Sequence, residues 1–139
     1  MLWLLLGIST ACRGSAADGG FRTSKPEVRK DVIAVIEAQL AAFRTRDIAK
    51  AYGYAAAWLH AQTPLRAFSS IVQNNYPEIW AGIRAEYRLV RDDGTHATVL
   101  AHVFAKDSNA AYDYVLVKER GGWRIGSVLR HEPRKKDNV

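Results

Sequence analysis

The second half of the chain alternates apolar and polar residues in four segments, which are 83–91, 96–105, 111–119 and 122–130. A period of two places successive side chains on opposite faces and is typical of strands with one buried face. Asp93-Gly94 and Gly121-Gly122 separate neighbouring segments and favour two-residue hairpin turns. The pattern therefore predicts a four-stranded antiparallel meander, with Asp107-Ser108-Asn109 as its middle loop.

The first half of the chain has helical spacing instead. Ser24-Lys25-Pro26-Glu27 reads as a capping box with proline in the first turn, and it predicts a helix over 25–45. Asp47 is the expected N-cap of a second helix that reaches Leu59, and Thr63-Pro64 begins a third helix that ends at Pro77. We therefore predict an α+β fold with three N-terminal helices packed on a curved, cone-shaped sheet.

Two-residue turns fix the strand registers and thereby sort the side chains onto two faces. His102 is then opposite Tyr114 and Ala85, on an aromatic face under the helices, whose predicted members are Ile83, Ala85, Tyr87, Leu89, Leu100, His102, Phe104, Tyr112, Tyr114, Leu116, Trp123, Ile125 and Leu129. The other face has an aliphatic centre, predicted to contain Val99, Ala101, Val103, Val115 and Val128. Charged residues rim that centre, and Asp113 with Arg130 is one of the expected ion pairs. The face is therefore either a homodimer surface or an ordinary exposed sheet face.

Length and charge restrict the class of protein. The 139 residues and 48% hydrophobic content fit one globular domain, predicted at 21–131 with a basic tail at 132–139. One cysteine excludes an internal disulfide, and the net charge of +6 is spread thinly along the chain. We therefore expect no nucleic-acid partner.

Residues 1–20 resemble a secretory signal and a flexible spacer. The apolar run 2–8 is far shorter than the roughly 20 residues that span a bilayer. Cys12 is a candidate for lipidation, and cleavage by the ordinary signal peptidase is the alternative. The expected location is periplasmic or secreted, with membrane attachment only if Cys12 is lipidated. If the run is not a signal, the location is cytoplasmic.

Several stretches resemble a known family: 35–43 followed by Asp47 and Ala51-Tyr52, then Asn75-Tyr76-Pro77, then Gly122-Trp123-Arg124-Ile125. The element order is similar to that of the nuclear-transport-factor-two-like superfamily, which includes ketosteroid isomerases. Within it, these stretches resemble the bacterial domain-of-unknown-function family 4864. The resemblance implies the cone fold and, because the family has no established activity, little about function.

No phosphate loop, nucleophile elbow or metal-ligand spacing is present in the sequence, so we expect no cofactor and no metal. The leading hypothesis is an exported, non-catalytic domain that binds a small ligand or another protein, and its cone either holds a small apolar ligand or is filled and serves as a scaffold. Whether the protein is an enzyme is left open. The alternative is an isomerase, dehydratase or hydrolase that uses His102 with Tyr114 or Tyr87. These residues fit core packing equally well. The candidate pocket residues are Gln39, Tyr52, Trp58, Tyr76, Trp80 and Trp123. Gln39 lies on the apolar stripe of the first helix, where a buried amide either binds backbone or faces a cavity. Trp58, Tyr76 and Trp80 are expected at the open end of the cone, which they either line or fill.

Overall fold

The computed structural model describes residues 20–131. The leader and Cys12 predictions, and the basic tail at 132–139, lie outside the described residues apart from Gly20. The helices within the described range are α1 (Pro26–Arg44), α2 (Ile48–Gly53), α3 (Ala57–Gln62), α4 (Leu65–Asn75) and α5 (Pro77–Trp80). None of these helices is both long enough and apolar enough to span a membrane.

The helices pack against one antiparallel sheet of five strands in sequence order, which are β1 (Arg22–Thr23), β2 (Gly82–Asp92), β3 (His96–Ala105), β4 (Asn109–Glu119) and β5 (Gly122–Arg130). The prediction of an α+β fold is confirmed, but the prediction of four strands is wrong. The additional strand β1 has two residues and pairs with the end of β2. A strand this short carries too few residues for an alternating pattern to be recognised. The cone shape of the sheet stays a prediction.

Helix α1 is the amphipathic helix expected from the spacing of its apolar residues, and it buries Val32, Ile36, Leu40 and Phe43 against the sheet. The capping-box prediction is wrong. Lys25 occupies the N-cap position without a side-chain cap, and Ser24 Oγ instead donates a 2.5 Å hydrogen bond to Asp92 Oδ1. Ser24 thus connects the start of α1 to the end of β2.

The second predicted helix is two helices. Asp47 caps α2 as predicted, since its Oδ1 accepts a hydrogen bond from the Lys50 amide at 3.1 Å. The helical pattern breaks after Gly53 because the next backbone groups bind β5: the Ala56 amide donates to the Ile125 carbonyl at 2.8 Å, and the Ile125 amide donates to the Tyr54 carbonyl. Helix α3 then begins at Ala57.

The predicted registers are wrong in all three hairpins. His102 pairs with Ala111 and Glu86, and Tyr114 pairs with Val99 and Val128. The middle turn closes between Ala105 and Ser108, earlier than predicted. Pairing in that hairpin therefore changes by three residues, and an odd change exchanges the two faces of β3.

Local irregularities explain why the registers of the other two hairpins differ from the predicted ones. Asp93 Oδ1 accepts hydrogen bonds from the amides of Thr95 and His96, which makes a three-residue connection. Strand β2 then bulges twice, between Gly82 and Arg84 and near Leu89 with its φ of 50°, and β5 bulges once, at the extra residue Gly126. None of these features changes the hydropathy pattern from which the registers were predicted.

Complementary side-chain size accounts for the faces that β3 adopts. The inward face of β4 carries the large residues Tyr112, Tyr114 and Leu116, all fully buried. The neighbouring inward face of β3 is built from small side chains, namely those of Ala97, Val99, Ala101 and Val103. Large residues on one strand thus meet small residues on the next, as close packing requires.

Candidate ligand cavity

An apolar cavity of about 230 Å³ lies between the helices and the last strand. Helix α1 contributes Gln39 and Phe43, and α4 contributes Phe68, Ile71 and Val72. The facing wall is the β5 segment 125–128. No side chain that lines the cavity is charged among the described residues. The arrangement suits a neutral, mainly apolar guest, because an unpaired charge is costly to bury.

Helix α3 covers this cavity and contributes Trp58 and Leu59 to its lining. None of the residues of α3 is itself buried. Hydrogen bonds hold it at both ends: Glu119 Oε2 accepts from the Ala57 amide at 2.8 Å, and the Tyr52 hydroxyl donates to the Thr63 carbonyl at 2.6 Å. The cover is therefore held by polar contacts, and its apolar side chains are left to face the cavity.

The bulge in β5 shapes the floor under this cover. Val115 pairs with Ser127 and Leu116 with Ile125, so Gly126 is the extra residue. A side-chain Cβ at Gly126 would lie 3.3 Å from Trp58 Nε1, which is tighter than ordinary contact. Glycine at this position lets the indole of Trp58 lie close to the strand.

Gln39 is the buried polar side chain of the lining, with 4% of its surface exposed. Its Nε2 donates a 3.0 Å hydrogen bond to the Ala51 carbonyl. The sequence suggested that an amide on the apolar stripe of α1 is either bound to backbone or facing a cavity, and Gln39 does both.

A buried ion pair fixes the far end of β5. Arg130 binds both carboxylate oxygens of Glu78 at 3.0 Å, and the hydroxyls of Tyr112 and Ser108 donate to the same carboxylate at 2.7 and 2.8 Å. Burial by itself raises the pKa of Glu78, but these hydrogen bonds outweigh burial and hold that pKa at about 2. The pair connects α5 to β5 beside the cavity.

The predicted surface pair of Asp113 with Arg130 is wrong, since Asp113 binds His131 at 2.6 Å.

The predicted pocket residues are divided between the cavity and its surroundings. Gln39, Trp58 and Tyr76 line the cavity. Tyr52 lies behind it, with its ring centroid 5.1 Å from that of Phe68. Trp80 packs on Phe43 under the Arg46 guanidinium, and Trp123 is buried in the core beside Lys118.

The structure does not bring the three predicted catalytic residues together. His102 lies on the outer face, stacked on Phe104 at 4.6 Å, with its Nε2 2.8 Å from Asn109 Oδ1. Tyr114 is sealed in the core, where burial raises its pKa. The inner placement of His102 is therefore wrong, because the faces of β3 are exchanged. A catalytic role for His102 stays a prediction without the tyrosine partners proposed for it.

Tyr87 has a partner that sequence reasoning missed. Its hydroxyl donates a 2.5 Å hydrogen bond to Glu37 Oε2, and burial together with this bond raises the pKa of Tyr87. Glu37 belongs to α1 and Glu78 to α5, so neither carboxylate lies on the strands whose faces the turn lengths predict. No local signal identifies Glu78, since its partner Arg130 is 52 positions away.

In the described part of the chain, no group of three or more His, Cys, Asp or Glu side chains is arranged to hold a metal ion.

A search of the curated proteins returned no match. The wider likeness to the nuclear-transport-factor-two-like superfamily stays a prediction. One family model, described as a domain of unknown function (DUF4864), matches residues 25–138. This chain, over almost the whole of its folded domain, therefore belongs to the DUF4864 family.

Proposed function

We propose that this domain binds a small, neutral, largely apolar molecule in the cavity between α1, α3, α4 and β5. The observation that carries the proposal is the cavity itself, which combines an apolar lining with one buried amide. Pockets for small molecules commonly have this composition, in which apolar walls provide affinity and a few polar groups provide orientation.

The volume limits the size of the ligand. A cavity of about 150 Å³ in another protein accommodates benzene, so 230 Å³ suits a molecule of on the order of ten non-hydrogen atoms. Two fused rings have this size. Naphthalene is accordingly a suitable probe for the apolar part of the site.

The test compares two substitutions in the same helix. Ile71 lines the cavity with 40% of its surface exposed, whereas Leu65 is 39% exposed and lies away from the cavity. We expect Ile71→Trp to fill the mouth and weaken naphthalene binding at least tenfold in equilibrium dialysis. Leu65→Trp is the matched control and leaves the Kd unchanged. Absence of naphthalene binding to the parent protein, or equal Kd values for the two variants, contradicts the proposal.

A second candidate function is self-association through the outer face of the sheet, and the composition of that face favours it. Leu129 is 66% exposed there, and the partly buried Leu100 and Phe104 lie on the same face of the sheet. Arg88 and Asp113 flank Leu100 on neighbouring strands, so both charges needed for a self-complementary contact lie on one surface. We propose a second copy of this chain as the partner.

A further inference from the structure

We propose that Gln39 makes the cavity selective for ligands that carry a hydrogen-bond donor, such as a phenol or an alcohol. This inference rests on the proposed ligand-binding function of the cavity. It adds the chemical class of the ligand, which volume and hydropathy leave undetermined.

The orientation of the Gln39 amide is fixed by its neighbour. Nε2 lies 3.0 Å from the carbonyl oxygen of Ala51, a residue that is fully buried. If the amide were flipped, Oε1 would face that carbonyl oxygen, and two acceptors would repel each other at hydrogen-bond distance. The nitrogen is therefore held by the protein.

The oxygen atom of the same amide has no partner. Only 4% of the Gln39 surface is exposed. Within residues 20–131, its Oε1 nevertheless accepts no hydrogen bond, whereas its Nε2 donates one. Among the described side chains, Tyr114 Oη is the one polar atom that is both fully inaccessible and without a hydrogen-bond partner. Gln39 Oε1 also has no partner, so it is not fully inaccessible and retains some accessible surface. Gln39 lines the cavity, and we assign its Oε1 to that space as an acceptor.

Tyr76 is another polar residue of the lining that offers an acceptor. Tyr76 donates its hydroxyl hydrogen to the Val128 carbonyl at 3.1 Å, which leaves the hydroxyl oxygen to accept. A ligand with only acceptor atoms finds neither of these oxygens complementary. The remaining donor groups of the lining belong to Trp58, Thr63 and Ser127, whose side chains are exposed or only partly buried and can bind water instead. A carboxylate finds no cation in the described lining. A neutral donor on an apolar body satisfies Gln39 without burying a charge.

The experiment measures Kd by equilibrium dialysis for three probes of one skeleton. They are 2-naphthol, which donates, 2-methoxynaphthalene, which only accepts, and 2-fluoronaphthalene, which has neither strong group. A net hydrogen bond changes affinity roughly 2- to 10-fold, and we expect 2-naphthol to bind the parent protein more tightly than either other probe by this factor.

In Gln39→Leu the preference for 2-naphthol disappears, while 2-fluoronaphthalene binds as before. Gln73→Leu, the same substitution at an exposed glutamine of α4, retains the preference. Equal ratios in the parent and in Gln39→Leu overturn the role of Gln39 and leave the cavity proposal intact. If no probe binds the parent protein, the cavity proposal fails first and this inference fails with it. Should Gln39→Leu not fold, the three-probe order in the parent decides, and 2-methoxynaphthalene binding as tightly as 2-naphthol overturns the inference.

Discussion

The ion pair of Glu78 with Arg130 supports a quantitative prediction about stability. The pKa of Glu78 falls from an ordinary 4.5 to about 2 in the folded protein, which corresponds to about 3 kcal/mol of folding free energy. Because the folded pKa is the lower one, this stabilisation is complete above about pH 5. It is lost progressively as the pH falls toward 2.

Replacing Glu78 with glutamine removes the ionised carboxylate and leaves Arg130 without its counter-charge. Removal of one partner of a buried ion pair costs about 3–5 kcal/mol. The Arg130 side chain is 22% exposed and can bind some water, so we expect a value near the lower end of that range. This is a large part of the roughly 5–15 kcal/mol that stabilises an ordinary domain.

Urea unfolding followed by tryptophan fluorescence measures both effects. At pH 7 we expect Glu78→Gln to reduce the unfolding free energy by about 3 kcal/mol. The difference between parent and variant narrows as the pH is lowered from 5 to 3. The control is Glu86→Gln, whose carboxylate binds Arg84 at the surface and should leave the urea midpoint close to that of the parent. A loss in Glu78→Gln no greater than in Glu86→Gln, or a difference that does not depend on pH, would refute the reasoning.

Four further predictions follow from individual contacts and from the leader. Tyr114→Phe removes a buried hydroxyl without a partner, so urea unfolding should find stability unchanged or raised by up to about 1 kcal/mol; a larger loss contradicts this reading. Gly126→Ala displaces the indole of Trp58, and we expect a shift in tryptophan emission and weaker naphthalene binding, whereas parent-like values for both argue against the close contact. Leu129→Lys places a charge on the outer face and should reduce the sedimentation mass if the protein is a homodimer; a mass that stays dimeric excludes this interface. Mass spectrometry of the native N-terminus tests export: we expect a chain that lacks the leader or carries lipid on Cys12, and an intact Met1 in cytosolic protein contradicts export.

The cavity illustrates how far local patterns predict a site. Gln39 was identified because a polar residue on the apolar stripe of a helix requires a partner or a cavity. Gly126, which also lines the cavity, was not identified, although an isolated glycine inside a predicted strand can mark a bulge. Trp58 and Tyr76 were expected at an open end, and their side chains do line the cavity. The packing of Trp80 on Phe43 depends on residues that are distant in sequence.

The sequence by itself determined the type and approximate bounds of the longest helix and of the four long strands, because hydropathy periods and turn residues are local properties. It did not predict β1, the break between α2 and α3, or the short helix α5. The longest helix was expected over 25–45 and spans Pro26–Arg44, and the four long strands begin and end within two residues of their predicted bounds. Only the tertiary structure decided which face of β3 points inward. That choice depends on the turn at Ala105–Ser108, on bulges in β2 and β5, and on small β3 side chains fitting beside Tyr112 and Tyr114. The three-residue change in the pairing of β3 with β4 moved His102 from the predicted inner face to the outer face, since side chains alternate along a strand while the hydropathy of β3 fits either face.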